Sequence, residues 1–328
     1  MPSQYAKPAH MVFIAACGLI LASLACNAPT TAQPTPQVAN DNGLIAPTPI
    51  TPQATVPTPE AANDNSVIAP TPTTPSAEPT ATVFTPPSAP PPNATGNNIS
   101  FFYPPSIAKS FTYEVVPPPD TSTGAPVEMM LPSHYRFDLH DYPDFGQYQD
   151  PQIFVFPVKN YENFNTVGPV HIAALKDLLD KHPDLSTLLS KAPGQDSLPF
   201  LPNYNAAQVF HAQLAYVDFQ SGRGIRYITQ YDQAPIPINN GELFYTFQGL
   251  TNDGKYYVAV TMPITHPSLP TNQEQALKDQ AIVDAITKDF EGYLKGVVST
   301  LDSAKVEDFN PTLSLLDQMV NSISVAAE

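Results

Sequence analysis

Residues 27–98 hold 17 of the chain's 40 prolines and almost no periodic apolar pattern. Each proline fixes φ and removes a backbone donor, so a run this dense favours extended, solvated backbone over helix or sheet. The run divides the chain. It separates a short leader, residues 1–25, from about 230 residues that can bury one full core. We read residues 26–98 as a disordered Pro/Thr-rich linker and residues 99–328 as a single folded domain. Inside the linker, Ala39–Pro49 recurs as Ala62–Pro72, a single 23-residue duplication with no face to bury, unlike a solenoid repeat. At about 3.1 Å per residue the linker reaches on the order of 200 Å when fully extended. Asn40-Asp41-Asn42-Gly43 has the start of a calcium loop but lacks its alternating ligands and distal glutamate. Dense Thr and Pro also suit O-linked sugar, although a plain spacer accounts for the composition.

The leader has the layout of an export signal. Lys7 and the α-amino group precede an apolar run, Met11 to Leu24, of 14 residues. A permanent membrane helix needs roughly 20, so the run suits a signal segment. It ends in Ala22-Ser23-Leu24-Ala25-Cys26, which resembles a bacterial lipobox, with Leu24 and Ser23 departing from its commonest form. Ile14-Ala15-Ala16-Cys17 is a second possible lipobox, but few apolar residues lie upstream of it. Cys26 is therefore the expected lipid attachment. Simple secretion leaves Cys26 unexplained, and an uncleaved anchor needs a longer apolar run. Mature bacterial lipoproteins carry a diacylglycerol on this cysteine, and two acyl chains anchor stably where one holds only marginally. Asn27, not aspartate, follows Cys26, which leaves the cell membrane and the outer membrane both open. The expected address is outside the cytoplasm, with the membrane as partner through the N-terminal lipid.

Charge and cysteine usage narrow the partners. Beyond residue 98 the chain carries 13 basic and 26 acidic groups, a net −13, which repels nucleic acid and anionic head groups alike. Nucleic acid is excluded, and electrostatics offer the domain no hold on a membrane. Cys17 and Cys26 are the only cysteines, so residues 99–328 can form no disulfide and offer no thiolate.

Apolar alternation predicts strands within Ile99–Tyr113 and His134–Leu139, and Gln152–Val158 is a short aromatic strand. Val167–Lys181 reads as a helix, with Pro169 in its first turn and Pro183 beyond its end. Two hairpins follow. Ala207–Phe219 and Gly224–Tyr231 flank Gln220-Ser221-Gly222-Arg223, and Glu242–Gln248 and Lys255–Met262 flank a turn with Asp253-Gly254 at its tip. Alternation along Tyr245, Phe247 and Tyr256, Val258, Val260 suggests a sheet with one face covered. Tyr256-Tyr257 puts one tyrosine on each face, one of them open to solvent. Glu274–Leu301 reads as one long helix with i,i+4 pairs Glu274–Lys278, Asp284–Lys288 and Glu291–Lys295. A last helix, Pro311–Val325, takes Asn310 as N-cap and buries Leu313, Leu316, Val320 and Ile323. The order β-β-β-α-β-β-β-β-α-α gives an α+β fold, an antiparallel sheet packed against helices, preceded by the disordered linker.

The run Pro237-Ile238-Asn239-Asn240-Gly241-Glu242 through Tyr257-Val258 resembles a block in uncharacterised predicted lipoproteins of Chloroflexi-type bacteria. Ser110-Phe111-Thr112-Tyr113-Glu114 and His266-Pro267-Ser268-Leu269-Pro270 are similar to further parts of them. The resemblance implies a surface address and brings no reaction with it. In element order alone the domain is similar to PsbP-like folds, which implies a non-catalytic envelope or assembly module.

Local catalytic motifs are absent: no Gly-x-Ser-x-Gly elbow, His-Glu-x-x-His pair, Walker loop or dinucleotide glycine fingerprint. Gly222-Arg223-Gly224 is a turn. The best local polar cluster is His134, Arg136, Asp138 and His140, which share one face of a strand. Two histidines and a carboxylate suit a metal, but Arg136 between them opposes a cation, and the solvent face of an edge strand explains the pattern. His211 reads as a satisfied, half-buried histidine and His266 as part of a loop. We expect no catalytic, cofactor or metal site. Tyr and Phe in place of Trp suit a sheet core as well as a sugar surface, so a protein or glycan partner stays unassigned. The expected function is a non-catalytic binding or structural domain displayed at the surface. The alternative is an envelope hydrolase of glycan or peptide, with acid and base drawn from Asp138, Asp141, Glu242 and Asp253.

Overall fold

The computed structural model describes residues 88–124, 126–188 and 197–326, so the leader, Cys17, Cys26 and the linker through residue 87 lie outside the described residues. The fold is α+β, as the sequence indicated. Among the described residues there are ten strands: β1 (Ala94–Gly96), β2 (Ile99–Phe101), β3 (Ser110–Val116), β4 (His134–His140), β5 (Gln152–Pro157), β6 (Ala207–Phe219), β7 (Gly222–Asp232), β8 (Phe244–Thr251), β9 (Tyr256–Pro263) and β10 (Ser324–Val325). Seven form one sheet, ordered β3-β4-β5-β9-β8-β7-β6, with every neighbouring pair antiparallel. The other three form a small antiparallel sheet, ordered β1-β2-β10. β1 falls inside the stretch expected to be linker. The Asn93 side chain fixes that entry by accepting from the Tyr103 N–H and donating to the Tyr103 carbonyl.

Both predicted hairpins form. Gln220-Ser221 joins β6 to β7, and Gly254, at φ 70°, supplies the left-handed turn residue between β8 and β9. Gly224 faces Gly249 across β7 and β8, leaving room for the Phe247 ring, which a Cβ on either glycine would strike at 2.4–2.5 Å.

The expectation of one covered face is corrected. β8 and β9 are buried at every residue. Tyr256 and Tyr257 do point to opposite faces, but both faces are dry. Tyr256 lies in a core with Phe137, Phe247, Val258 and Val260, closed by Leu294, Leu301, Leu313 and Leu316 from the C-terminal helices. Tyr257 lies in a second core with Phe154, Phe156 and Tyr227, closed by Leu175, Leu179, Phe200 and Leu201. Each fully buried large apolar side chain contributes about 1.5–3 kcal/mol, which favours covering both faces of so aromatic a sheet.

The helices are α1 (Val167–Lys181), α2 (Gln273–Ala276), α3 (Gln280–Lys288), α4 (Phe290–Ser303) and α5 (Leu313–Asn321). α1 has the expected bounds. It starts where Asn165 Oδ1 accepts from the Gly168 N–H and stops at His182, whose left-handed backbone (φ 44°) precedes Pro183. The single helix expected over 274–301 is three. Asp279 and Asp289 each act as an N-cap, accepting from the Ala281 and Gly292 N–H groups, and so restart the helix twice. The Glu274–Lys278 and Glu291–Lys295 pairs form at 2.8 and 2.6 Å, whereas Asp284 accepts from Gln280 instead. The N-cap of α5 is Thr312, not Asn310. Asn310 exchanges backbone hydrogen bonds with Thr265 and is held in that bridge, and the Thr312 hydroxyl accepts from the Leu315 N–H. β6 carries a bulge between Ala212 and Ala215. There Gln213, at φ 57°, donates to the Leu301 and Ala304 carbonyls and closes the end of α4.

Candidate functional site

The polar cluster picked from sequence lies on one face of β4, but β4 is not an edge strand: β3 is the edge and β4 lies between it and β5. Along the face His134 is buried, Arg136 and Asp138 are half-buried and His140 is exposed. His134 is buried against the Phe154 and Phe156 rings, its Nδ1 2.8 Å from the Pro132 carbonyl, and burial pushes its pKa down. Arg136 pairs with Glu114 directly opposite at 2.7 Å and with Asp138 at 3.1 Å, and Asp138 also accepts from Gln152 on β5. His140 Nε2 meets the Thr112 hydroxyl at 2.6 Å. These are contacts along β4 and to its neighbouring strands, not groups converging on a ligand. His211 is buried, with its ring nitrogens against the Leu188 carbonyl and Gln208 Oε1.

The four carboxylates considered for hydrolysis do not come together. Asp138 is held in the ladder just described. Asp141 is exposed at a left-handed position (φ 56°) after β4. Asp253 closes the β8–β9 turn, accepting from the Thr251 hydroxyl and the Lys255 N–H, and these hydrogen bonds lower its pKa. Glu242, half-buried before β8, has a partner the sequence reading missed. Asp232 ends β7, and burial together with the Glu242 charge raises its pKa to about 8. Burial raises Glu242 as well, offset in part by the Asn239 side-chain hydrogen bond. A chain of amides joins the two carboxyls: Gln230 donates to Asp232 and accepts from the Asn239 N–H, and Asn239 donates to Glu242.

A cleft of about 530 Å³ opens between the loop after β9 and the end of α4. His266 and Ser268 line it from the loop, Ser299, Thr300 and Ser303 from α4, and Asp308 from the segment that follows. The His266 Nδ1 lies 2.7 Å from the Ser268 hydroxyl and 3.3 Å from the Ser268 N–H, and its ring packs on Phe309. Burial lowers the His266 pKa, while the Asp308 charge partly restores it. The Thr300 hydroxyl donates to the Gly296 carbonyl and the Ser303 hydroxyl to the Ser299 carbonyl. Asp308 Oδ2 accepts from the Lys305 N–H.

The loop carrying His266 is fixed by Asn240. The Asn240 side chain accepts from the His266 N–H at 2.8 Å and donates to the His266 and Leu269 carbonyls at 3.1 Å. Asn239, its neighbour, serves the carboxyl pair. The turn Pro237–Glu242 thus supports both features with adjacent side chains. In sequence His266 reads as a loop residue, and Pro267 and Ser268 fall in a resembling block. Hydroxyls at 299, 300 and 303 share a helix face but look like any solvated face, and the His266 loop is distant from them in sequence.

Among the described residues no three or more His, Cys, Asp or Glu side chains gather as a metal site, and no helix is long and apolar enough to cross a membrane. Comparison with protein-family models, with curated proteins and with solved structures finds no match to this chain.

Proposed function

We propose that this chain is exported, anchored by lipid on Cys26, and carries at the end of its linker a non-catalytic binding module. The observation that carries the non-catalytic reading is the dispersal of the candidate acids and bases. Asp138, Glu242 and Asp253 each hold internal partners in separate parts of the fold. The resemblance of the Pro237–Val258 block to bacterial lipoproteins supports the address, and the layout of residues 1–26 supports the anchor.

The 2.7 Å contact between Ser268 and His266 is the observation that favours a hydrolase. Its geometry speaks for a local turn instead. The same Nδ1 also faces the Ser268 N–H, so the serine wraps around the ring as a side chain two residues away does. A nucleophile would instead face a substrate position shared with oxyanion donors.

Mass spectrometry of the mature N-terminus tests the anchor: a diacylglyceryl-modified Cys26 is expected, and an intact Met1 or an unmodified Cys26 would overturn it. Incubation of the mature protein with glycan and peptide substrates tests the module. No turnover is expected; turnover abolished by Ser268→Ala would replace this reading with the hydrolase.

A further inference from the structure

We infer that the cleft between His266 and α4 binds a neutral polyhydroxyl unit, such as one glycosyl residue, with His266 Nε2–H donating and the α4 hydroxyls accepting. The inference rests on the reading of the domain as a binding module and names the ligand class of its cleft.

The hydrogen-bond inventory of the cleft is fixed by contacts already made. Nδ1 of His266 receives the Ser268 N–H and faces its hydroxyl, so Nδ1 is the acceptor nitrogen and the ring proton sits on Nε2. Burial favours the neutral ring, which keeps this tautomer in place at neutral pH. Opposite, Thr300 and Ser303 have already donated their protons to the helix carbonyls at 296 and 299. What they offer the cleft is lone pairs. Asp308 adds acceptor capacity on the oxygen that Lys305 leaves free. One wall therefore offers the His266 donor, and the other is mostly acceptor, with the Ser299 hydroxyl able to do either.

A hydroxyl does both, and adjacent hydroxyls on a ring can satisfy the two walls together. A phosphate or carboxylate would meet the Asp308 charge and lone pairs with no cation against them. A cation would meet the His266 N–H. Pro267 and Ala304 also line the cleft and give apolar surface for the C–H face of a sugar ring. The cleft volume of about 530 Å³ is in the range of small-ligand sites. The Asn240 clamp holds the donor wall rigidly to the sheet, so little ordering is needed on binding.

The test uses the mature chain with 15N-labelled histidine and backbone, titrated with glucose, N-acetylglucosamine and, as a cationic counter-probe, methylammonium. Saturable shifts of the His266 Nε2 signal and of amides 299–308 are expected with a sugar and not with methylammonium. Thr300→Leu and Ser303→Leu fill the cleft from exposed helix positions and should weaken binding at least about tenfold, the scale of one or two lost hydrogen bonds. An unchanged amide spectrum elsewhere checks their folding, and Asp253→Asn should bind as wild type. Ser268→Ala should move the His266 15N shifts towards a mixture of tautomers and weaken the sugar, marking Ser268 as a positioning residue. No saturable sugar response, equal binding by the filled variants, or saturation by methylammonium instead would each overturn the inference. Cleavage of a bound disaccharide would overturn the non-catalytic reading and leave the cleft assignment standing.

Discussion

The Asp232–Glu242 pair makes the stability of this domain depend on pH in a direction opposite to the usual carboxylate. The Asp232 carboxyl is raised from 3.8 to about 8 by burial first and by the neighbouring Glu242 second, with the Gln230 hydrogen bond opposing. Between those two values the folded chain holds a proton that the unfolded chain has released. Stability then falls as pH rises. The contribution is intact below about pH 4, declines through neutrality and is fully lost above about pH 8. At about 1.4 kcal/mol per pH unit, the ionised form costs on the order of 5 kcal/mol, which is a large share of the stability of an ordinary domain.

Asp232→Asn isolates this effect, because the amide keeps the shape and can still accept from Gln230 while carrying no charge. Other carboxyls raised by burial, Asp302 and Asp317 among them, act equally in both proteins and cancel in the comparison. The variant should match wild type near pH 4 and exceed it by several kcal/mol at pH 9, measured by urea unfolding of the protein across that range. Glu242→Gln should lower the midpoint of the wild-type decline without removing it. A 13C titration of the Asp232 carboxyl gives the site directly. Parallel stability curves for Asp232→Asn and wild type from pH 4 to 9, with Asp232 titrating in the ordinary range, would refute the reasoning.

Three further outcomes follow from packing. Arg226, only 5% exposed, pairs with Asp317 at 3.4 Å, and Tyr245 donates to the same carboxylate. Arg226→Ala should therefore cost about 3–5 kcal/mol in urea unfolding, as a buried pair broken from one side does. Gly224→Ala brings a Cβ to 2.4 Å from the Gln248 carbonyl and from the Phe247 ring. It should lose about 1–3 kcal/mol by overpacking, read as a lower thermal midpoint. Asn240→Ala leaves the His266 N–H and two carbonyls unmatched. It should cost about 2–3 kcal/mol and broaden the His266 ring signals without affecting the Asp232 titration.

The hairpins and the first helix were legible because the deciding chemistry is local, whereas the cap expected at Asn310 falls to Thr312. Asp253-Gly254 needs only its own left-handed glycine, and Val167–Lys181 carries Pro169 in its first turn and Pro183 beyond its end, so both emerged where sequence put them. The break of the long C-terminal helix was written in Asp279 and Asp289, but an aspartate inside a periodic stripe is ambiguous until its side chain is seen to accept from the next turn. Covering of the second face was misread because alternation records only side-chain direction. Tyr256-Tyr257 alternates perfectly, and both rings are dry because α1 and the Phe200 segment come from elsewhere in the chain. Asp232 escaped notice for a related reason. Its neighbour Glu242 is ten residues away along a connection with no regular period, and only the β7–β8 pairing brings the two together.

The turn from Pro237 to Glu242 draws these threads to one place. Asn239 and Asn240 are consecutive and nearly fully buried, yet their side chains serve different features. Asn239 caps its own turn through the Gly241 N–H and reaches Glu242, while Asn240 crosses to the His266 loop. Buried amides of this kind are costly unless each donor and acceptor is matched, and here the partners are the carboxyl pair on one side and the cleft loop on the other. If the cleft is the binding surface, the identity of residues 237–242 is explained by support of that surface. Substitutions at Asn240 should then weaken sugar binding, whereas substitutions at Asn239 should act through the Asp232 titration.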